Sequence, residues 1–140
     1  DCFSGSMNLL SVYLLLAAEP EGALKGCTSL ELSGERLIQC PNRVRLSVLV
    51  RNQVFSPSEL ELAFGDLSLR AEFTQSIFTR TPVVLNGQSW PGAIVRNITE
   101  ETRRIVYLNS TQSVILECTA PPPWEASCAL RMEALLGELK

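Results

Sequence analysis

The fold class is decided by the stretch Ile105-Val-Tyr-Leu-Asn-Ser-Thr-Gln-Ser-Val-Ile-Leu-Glu-Cys118. Two apolar runs that are rich in β-branched residues flank Asn109 to Gln112, whose polar residues are typical of a turn. This pattern predicts a β-hairpin. Because both faces of each strand are apolar, the hairpin belongs either in the middle of a packed sheet or at an interface with a partner chain.

Two further segments upstream carry strand signals. Between Arg43 and Val50, apolar residues alternate with polar ones, which predicts a strand that is buried on one face. The segments 29–33 and 36–40 flank Gly34-Glu35, a pair that suits a tight turn. They predict a second hairpin, in which Leu32 lies opposite Leu37.

The segment from Ser58 to Phe73 also alternates, on both sides of Gly65-Asp66. A Gly-X pair at this place predicts a third hairpin with a two-residue turn. In this register Leu62 lies on the buried face, opposite Leu69, and Glu61 lies on the solvated face. An aspartate at position 62 is therefore expected to unfold the domain.

The last third of the chain changes character. Residues 78–102 carry several proline and glycine turn signals, which predict a loop-rich crossing with one short strand at Pro82 to Leu85. After three prolines, apolar residues recur at helical spacing, which predicts a C-terminal helix over residues 124–139. A final strand is the alternative, because Cys128, Leu130 and Met132 also alternate. The apolar residues of the helical pattern are Trp124, Cys128, Met132, Leu135, Leu136 and Leu139.

Together these segments predict a mainly β fold. The expected architecture is a two-layer antiparallel sandwich of immunoglobulin or fibronectin type, with a short C-terminal helix. A length of 140 residues suits a single domain over residues 1–140. Within it, residues 1–7 are either a flexible tail or derived from cloning.

Composition excludes several classes of protein. Hydrophobic residues make up 46% and charged residues 19%, which excludes a disordered chain. The net charge of −3, with no basic run, argues against a nucleic-acid partner. The chain has no histidine, so the usual general base and the commonest zinc ligand are missing. The carboxylate pairs Glu19/Glu21, Glu59/Glu61 and Glu100/Glu101 are interpreted as solvated charges. We therefore expect no catalytic residue, no metal, no cofactor and no enzyme activity.

The five cysteines bear on the cellular compartment. Cys118 and Cys128 flank a proline-stiffened loop and predict a disulfide bond, which would stabilise the domain by roughly 3 kcal/mol. A bond between Cys27 and Cys40 is a second option, although the predicted register places them diagonally; the role of Cys2 is open. Two sequons, at Asn97 and Asn109, predict N-glycosylation. These features indicate a secreted or extracytoplasmic protein of the cell surface, periplasm or virion; five reduced thiols in a cytosolic protein are the alternative.

The apolar segment from Leu9 to Ala18 is too short to span a bilayer, which takes about 20 residues, so no membrane span is expected in this chain. As a strand it would lack a polar face, like the hairpin at 105–118. We expect another protein chain, a second copy or a different protein, to cover one of these elements. The candidate interface residues are Leu14, Leu16, Tyr107, Trp90 and Trp124.

The function predicted on these grounds is a non-catalytic, extracytoplasmic module for protein-protein interaction or adhesion. The alternative is a structural subunit of an extracellular filament or secretion machine, such as a pilin-like globular head. Predominantly helical circular dichroism would favour this alternative.

Overall fold

The computed structural model describes residues 16–18 and 22–139. Strands dominate this part of the chain, and helices occur in its middle and at its C-terminal end. The elements in chain order are β1 (Leu16–Ala18), a 3-10 turn (Gly22–Leu24), β2 (Thr28–Leu32), β3 (Glu35–Cys40), β4 (Val44–Arg51), α1 (Pro57–Leu62), α2 (Gly65–Phe73), β5 (Ile77–Arg80), β6 (Val83–Leu85), β7 (Gln88–Trp90), β8 (Gly92–Arg96), β9 (Glu101–Leu108), β10 (Ser113–Ala120), a π-helical turn (Glu125–Ala129) and α3 (Leu130–Leu139).

Eight of the described strands form one antiparallel sheet, in the order β1-β2-β3-β4-β10-β9-β8-β5, and β6 pairs with β7 in a separate hairpin. The predicted hairpin at 105–118 is present as β9 and β10, with Leu108 opposite Ser113. It lies inside the large sheet, where β4 and β8 flank it. Ile105, Val106, Val114 and Leu116 are therefore buried within the chain itself. That a partner chain covers one of the two apolar elements stays a prediction.

One face of the sheet, which we call the α3 face, packs against the C-terminal segment. The core here joins strand residues such as Leu46 and Leu116 to Met132 and Leu135 of α3. The small β6–β7 hairpin packs on the same face through Val83. The helical spacing seen in the sequence is thus confirmed, because its buried members all point at the sheet. These buried members are Trp124, Cys128, Met132, Leu135 and Leu136.

The opposite face, which we call the α1–α2 face, packs against the two middle helices. Phe64 and Leu67 are buried against Ala93, Val95 and Val106 of strands β8 and β9. The helices therefore cover the β5–β8–β9 side of this face.

The predicted hairpin between Ser58 and Phe73 is wrong, because this segment forms α1 and α2. Ser56 caps α1: its hydroxyl accepts a hydrogen bond from the Glu59 N–H (3.3 Å), and the Glu59 carboxylate accepts one from the Ser56 N–H (2.9 Å). Pro57 occupies the first turn, where its missing N–H costs nothing. The sequence Ser-Pro-Ser-Glu at positions 56–59 is a capping-box signature. The alternation of apolar and polar residues that follows it favoured a strand instead.

The β2–β3 hairpin is present, but its turn lies one residue earlier than predicted, which shifts the strand pairing by two residues. Leu32 lies opposite Glu35 rather than Leu37, and the turn is Ser33-Gly34. Gly34 has a positive φ of 74°, which glycine adopts without strain.

This register aligns the ends of the two strands, and Cys27 forms a disulfide bond with Cys40 at a Cα–Cα distance of 4.1 Å. A second bond joins Cys118 of β10 to Cys128 of the π-helical turn, at a Cα–Cα distance of 5.9 Å. The bonds close loops with sequence separations of 13 and 10 residues. Both bonds fit an oxidising, extracytoplasmic location.

The mainly β class, the antiparallel pairing and the short C-terminal helix are confirmed. The arrangement differs from two facing sheets of similar size. The described strands form one large sheet and one two-stranded hairpin, and helices pack on both faces of the large sheet. The crossing at 78–102 holds four strands, β5 to β8, rather than one. These strands are only three to five residues long. Their apolar runs are therefore short, and the proline and glycine residues between them favoured a loop in the sequence-based prediction.

Substitutions at Leu62 and Leu67 distinguish the two helices from the predicted hairpin. Leu67 is fully buried, whereas 76% of Leu62 is exposed. We expect Leu67→Ala to lower the free energy of unfolding by about 3 kcal/mol, because it leaves a cavity under α2. Leu62→Ala is expected to change it by less than about 0.5 kcal/mol. Urea denaturation followed by tryptophan fluorescence measures both, and a larger loss at position 62 would contradict the fold.

Candidate functional site on the open half of the sheet

The candidate site lies on the α1–α2 face, beside the two helices. On this face α2 packs over β5 and β8, and no described helix lies over β2, β3 and β4. We call the part of this face formed by β2, β3 and β4 the open half-face. It ends against α1 and the start of α2, so that a groove runs between the helices and the strands.

The groove encloses a cavity of about 580 Å³ whose apolar lining comes from both the sheet and the helix. Leu37 of β3, Leu49 of β4 and Ile115 of β10 form the floor, and Leu62 of α1 forms the wall. Leu37 and Leu62 are both exposed. Exposed apolar side chains that line one groove are typical of a surface that binds another apolar group.

A charged cluster closes the helical end of the groove. Arg104 of β9 is only 7% exposed, and its guanidinium donates two hydrogen bonds to Asp66 of α2, at 2.6 and 3.0 Å. It also donates to a Glu117 carboxylate oxygen on β10 (2.8 Å) and to the Ala63 carbonyl (2.7 Å). Arg70 lies 3.4 Å from Asp66 and 3.5 Å from Glu117. This cluster joins the helix pair to the centre of the sheet.

The cluster holds its groups in the charged state. Partial burial of Asp66 acts to raise its pKa, but the hydrogen bonds and positive charge of Arg104, with Arg70, outweigh burial and lower that pKa below its ordinary value. Burial opposes the charge of Arg104, but Asp66 and Glu117 outweigh it and raise the pKa of the guanidinium. The acidic groups here are thus paired with arginine rather than placed to transfer a proton.

The carboxylates that the sequence placed in pairs are also engaged, as far as the described residues show. Glu59 caps α1, and Glu61 binds Arg80 at 2.8 and 3.0 Å. Glu100 binds Arg45 at 3.1 Å, and Glu101 binds Arg103. Two locations differ from expectation: Glu59 and Glu61 lie on a helix rather than a strand, and Glu101 is a buried strand residue. Within residues 16–18 and 22–139, no group of three or more histidine, cysteine, aspartate or glutamate side chains is placed to hold a metal ion.

The five predicted interface residues do not come together. Trp124 is 2% exposed, its indole N–H donates to the Cys118 carbonyl (2.9 Å), and the Arg103 guanidinium lies 4.3 Å from its ring centre. It is a core residue, so its assignment to an interface is wrong. Trp90 and Tyr107 are half-buried and pack edge to face, with ring centres 5.6 Å apart.

The other two interface candidates belong to the N-terminal segment. Leu14 lies outside the described residues. Leu16 belongs to β1, where its backbone pairs with Leu30 of β2. The open half-face therefore contains none of the described side chains that the sequence singled out for an interface.

The two sequons share one local geometry. In each, the Asn side-chain oxygen accepts hydrogen bonds from backbone N–H groups two and three residues later. The Asn97 amide also donates to the Ser76 hydroxyl at 2.9 Å. Both turns are at the surface, and glycosylation at Asn97 and Asn109 stays a prediction.

Leu37, Leu49, Leu62 and Arg104 were not predicted as site residues. The sequence contains one indication for Arg104, which directly precedes the apolar run that begins at Ile105. An arginine next to such a run is buried with it and then needs a buried acceptor. Leu62 carried no such signal, since its role depends on α1 being a helix. None of the helices in the described part of the chain is long and apolar enough to cross a membrane.

No protein-family model matches this sequence, and no curated protein matches it. The fold is similar to that of cyanobacterial PsbP (CyanoP) from Synechocystis sp. PCC 6803, with a TM-score of 0.48 and 10% identity, over 80% of this chain and 84% of that one. It is also similar to a crystal structure of a protein from Bacteroides thetaiotaomicron VPI-5482, with a TM-score of 0.41 and 9% identity, over 70% of this chain and 36% of that one. At these levels the similarity carries no information on function.

Removing the Arg104 guanidinium tests whether the cluster holds the helices on the sheet. We expect Arg104→Met to lower the free energy of unfolding by about 3 kcal/mol, because Asp66 and Glu117 are left without their cation. Arg45→Met is the matched control, because its ion pair with Glu100 is half exposed, and it is expected to change stability by less than about 0.5 kcal/mol. Equal losses in urea denaturation would show that the cluster does not anchor the helices.

The pH dependence of stability follows from Asp66. A carboxyl group whose pKa is lower in the folded state stabilises the fold above its unfolded pKa, near 3.8, and this contribution disappears as the pH falls through the folded value. We expect the free energy of unfolding to fall below about pH 4, and to fall less steeply in Asp66→Asn. Glu72→Gln, on the exposed side of α2, is the control and should retain the full slope.

Proposed function

We propose that this protein is a non-catalytic interaction module of an extracytoplasmic compartment, and that a partner chain binds in the groove of the open half-face. The observation that carries the proposal is the exposure of Leu62, which faces the leucines of β3 and β4 across the groove. An apolar side chain at this place loses contact with water only when another segment fills the groove. The mainly β architecture supports this function over a filament subunit built on a long helix.

The shape of the groove favours an amphipathic helix as the bound segment. Its floor is a sheet and its wall is a helix, so a further helix beside α1 would extend the α1–α2 layer across β3 and β4. The apolar lining is narrow, and Glu35 and Gln39 flank it on β3. A partner helix with one apolar stripe and polar sides matches this arrangement.

The compartment is part of the proposal. The two disulfide bonds use four of the five cysteines, and such bonds persist in oxidising environments such as the periplasm or the cell exterior. In a eukaryotic secretory pathway, Asn97 and Asn109 would be available for N-glycosylation. A mass decrease after enzymatic deglycosylation, lost in Thr99→Ala or Thr111→Ala, would assign each site.

The absence of catalysis is also a proposal. The carboxylates at the groove, Asp66 and Glu117, are bound to Arg104, and the chain has no histidine. Neither carboxylate is therefore placed to accept a proton from a bound substrate.

A photoreactive amino acid at position 62 tests the site of binding. The full-length protein carries it either at Leu62 or at Leu130, which has a similar exposure (71%) but lies on α3, on the other face of the sheet. After illumination in the extracytoplasmic fraction of the source cells, we expect one defined intermolecular adduct from position 62 and none from position 130. Equal adducts from both positions, or no intermolecular adduct from position 62, would contradict the proposal.

A further inference from the structure

The strand β5 lies at an edge of the large sheet, and β8 is the only described strand that pairs with it. The other side of β5, which we call the β5 edge, is therefore a row of backbone donors and acceptors that no described strand uses. We propose that a second copy of this chain pairs with the β5 edge, strand β5 against strand β5, so that the two sheets become continuous in a two-fold symmetric dimer.

The hydrogen bonds between β5 and β8 show which groups of β5 point outward. The Thr81 N–H, one position beyond the β5–β8 register, donates to the Gly92 carbonyl (3.1 Å). Opposite residues of an antiparallel pair alternate between hydrogen-bonded and non-hydrogen-bonded pairs. Thr79 therefore bonds to β8, as Thr81 does, whereas Phe78 and Arg80 turn their N–H and C=O groups toward the β5 edge.

A hydrogen bond on the other side of β8 indicates the same alternation. The Val106 N–H of β9 donates to the Pro91 carbonyl (3.0 Å). Pro91 therefore faces β9, and its neighbour Gly92 faces β5. Both bonds thus give the same set of outward groups, which are the N–H and C=O groups of Phe78 and Arg80.

The row of open groups has a defined end on each side. The Ser76 N–H would be the next outward donor, but it already donates to the Ala71 carbonyl (2.8 Å). At the other end, Pro82 has no N–H to donate. The open part of the β5 edge is therefore confined to the strand itself.

This row is complementary to itself. In an antiparallel pair centred on Thr79, Phe78 of one copy lies opposite Arg80 of the other, and the two residues exchange both N–H···O=C bonds. The next pair along would join Ser76 to Pro82, and neither of its donors is available. The centred register thus uses every open donor of the edge in both copies, which is what a two-fold dimer requires.

The side chains of β5 suit this register. Thr79 is exposed and lies opposite its own copy, where two threonines can share a hydrogen bond. Arg80 is the only charged residue of the strand, and Glu61 binds it at 2.8 and 3.0 Å. A second copy therefore brings no uncompensated charge to the edge. Ile77, which is 65% exposed, loses contact with water beside Thr81 of the other copy.

The length of β5 limits the strength of the dimer. The strand has four residues, and each backbone bond replaces bonds to water, so that it adds little net free energy. We therefore expect a dimer that forms and dissociates with concentration, as small interfaces do, rather than a permanent one.

The symmetry of the dimer places both grooves on one side. The axis that relates two antiparallel strands of one sheet runs normal to the sheet, so both copies keep their α1–α2 faces on the same side. From β10 of one copy to β10 of the other there are seven strand spacings, about 33 Å. The dimer does not depend on the proposed function, but its capacity to hold two partner helices at once rests on that function.

A cysteine at the centre of the register tests the pairing. Thr79→Cys is made in a Cys2→Ser background, in which the other four cysteines are held in disulfides. Non-hydrogen-bonded positions of antiparallel strands have Cα atoms about 4.5 Å apart, a distance that a disulfide can bridge. On mild oxidation we expect a disulfide-linked dimer from position 79, and none from Val84→Cys on β6, where Val84 is 61% exposed. Equal dimer from both positions, or none from position 79, would overturn the proposal.

A charge at position 79 tests the same pairing without a covalent bond. In the Cys2→Ser background, Thr79→Lys places two like charges opposite each other in the dimer, and Thr79→Glu does so with the other sign. In sedimentation velocity at low ionic strength, we expect the parent chain to dimerise as its concentration rises and each variant to stay monomeric. An equimolar mixture of the two variants is expected to recover the dimer.

Thermal unfolding is the control for these charge variants. Because Thr79 is exposed, we expect both variants to unfold at the temperature of the parent chain measured at a concentration where it is monomeric. A parent chain that stays monomeric at every concentration, or a dimer that Thr79→Lys leaves unchanged, would overturn the pairing.

The outcomes separate the dimer from the proposed partner site. Dimerisation through position 79 without any adduct from position 62 would support the pairing and refute the partner site. An adduct from position 62 of a chain that never dimerises would leave the partner site standing and refute the pairing. A disulfide from Thr79→Cys to a different protein, with none between two copies, would show that the β5 edge receives a foreign strand and would also overturn the dimer.

Discussion

The structure depends on one constraint, which is that the β9–β10 hairpin is apolar on both faces. Such a hairpin is stable in water only when a layer covers each side. The C-terminal segment supplies one layer through Met132 and Leu135. The helices α1 and α2 supply the other through Phe64 and Leu67. The two disulfides reinforce this arrangement at the β2–β3 edge and at the start of the C-terminal segment.

The second layer is narrower than the sheet, and Arg104 explains its position. This guanidinium projects from β9 into a dry region and needs acceptors, which Asp66, Glu117 and the Ala63 carbonyl provide. The helix pair is therefore held over β8 and β9 and does not reach β2 and β3. The open half-face follows from this placement, and with it the proposed partner site.

The proposed partner site follows from the apolar lining of the groove. Leu37, Leu49 and Leu62 line this groove together, and a bound apolar segment lowers the free energy of the complex by removing their surface from water.

The central hairpin, the half-buried strand β4, the C-terminal helical face and the Cys118–Cys128 pair were all predictable from the sequence, because each depends on local periodicity or short spacing. Other features needed contacts between distant residues. The alternation of Leu60, Leu62, Leu67 and Leu69 is compatible with a strand, and only the Ser56 cap and the sheet under Phe64 make the segment helical. The disulfide between Cys27 and Cys40 depends on the position of the β2–β3 turn, because moving the turn by one residue shifts the strand pairing by two. Trp124 is buried and Leu62 exposed because of how the layers meet, which no local pattern encodes.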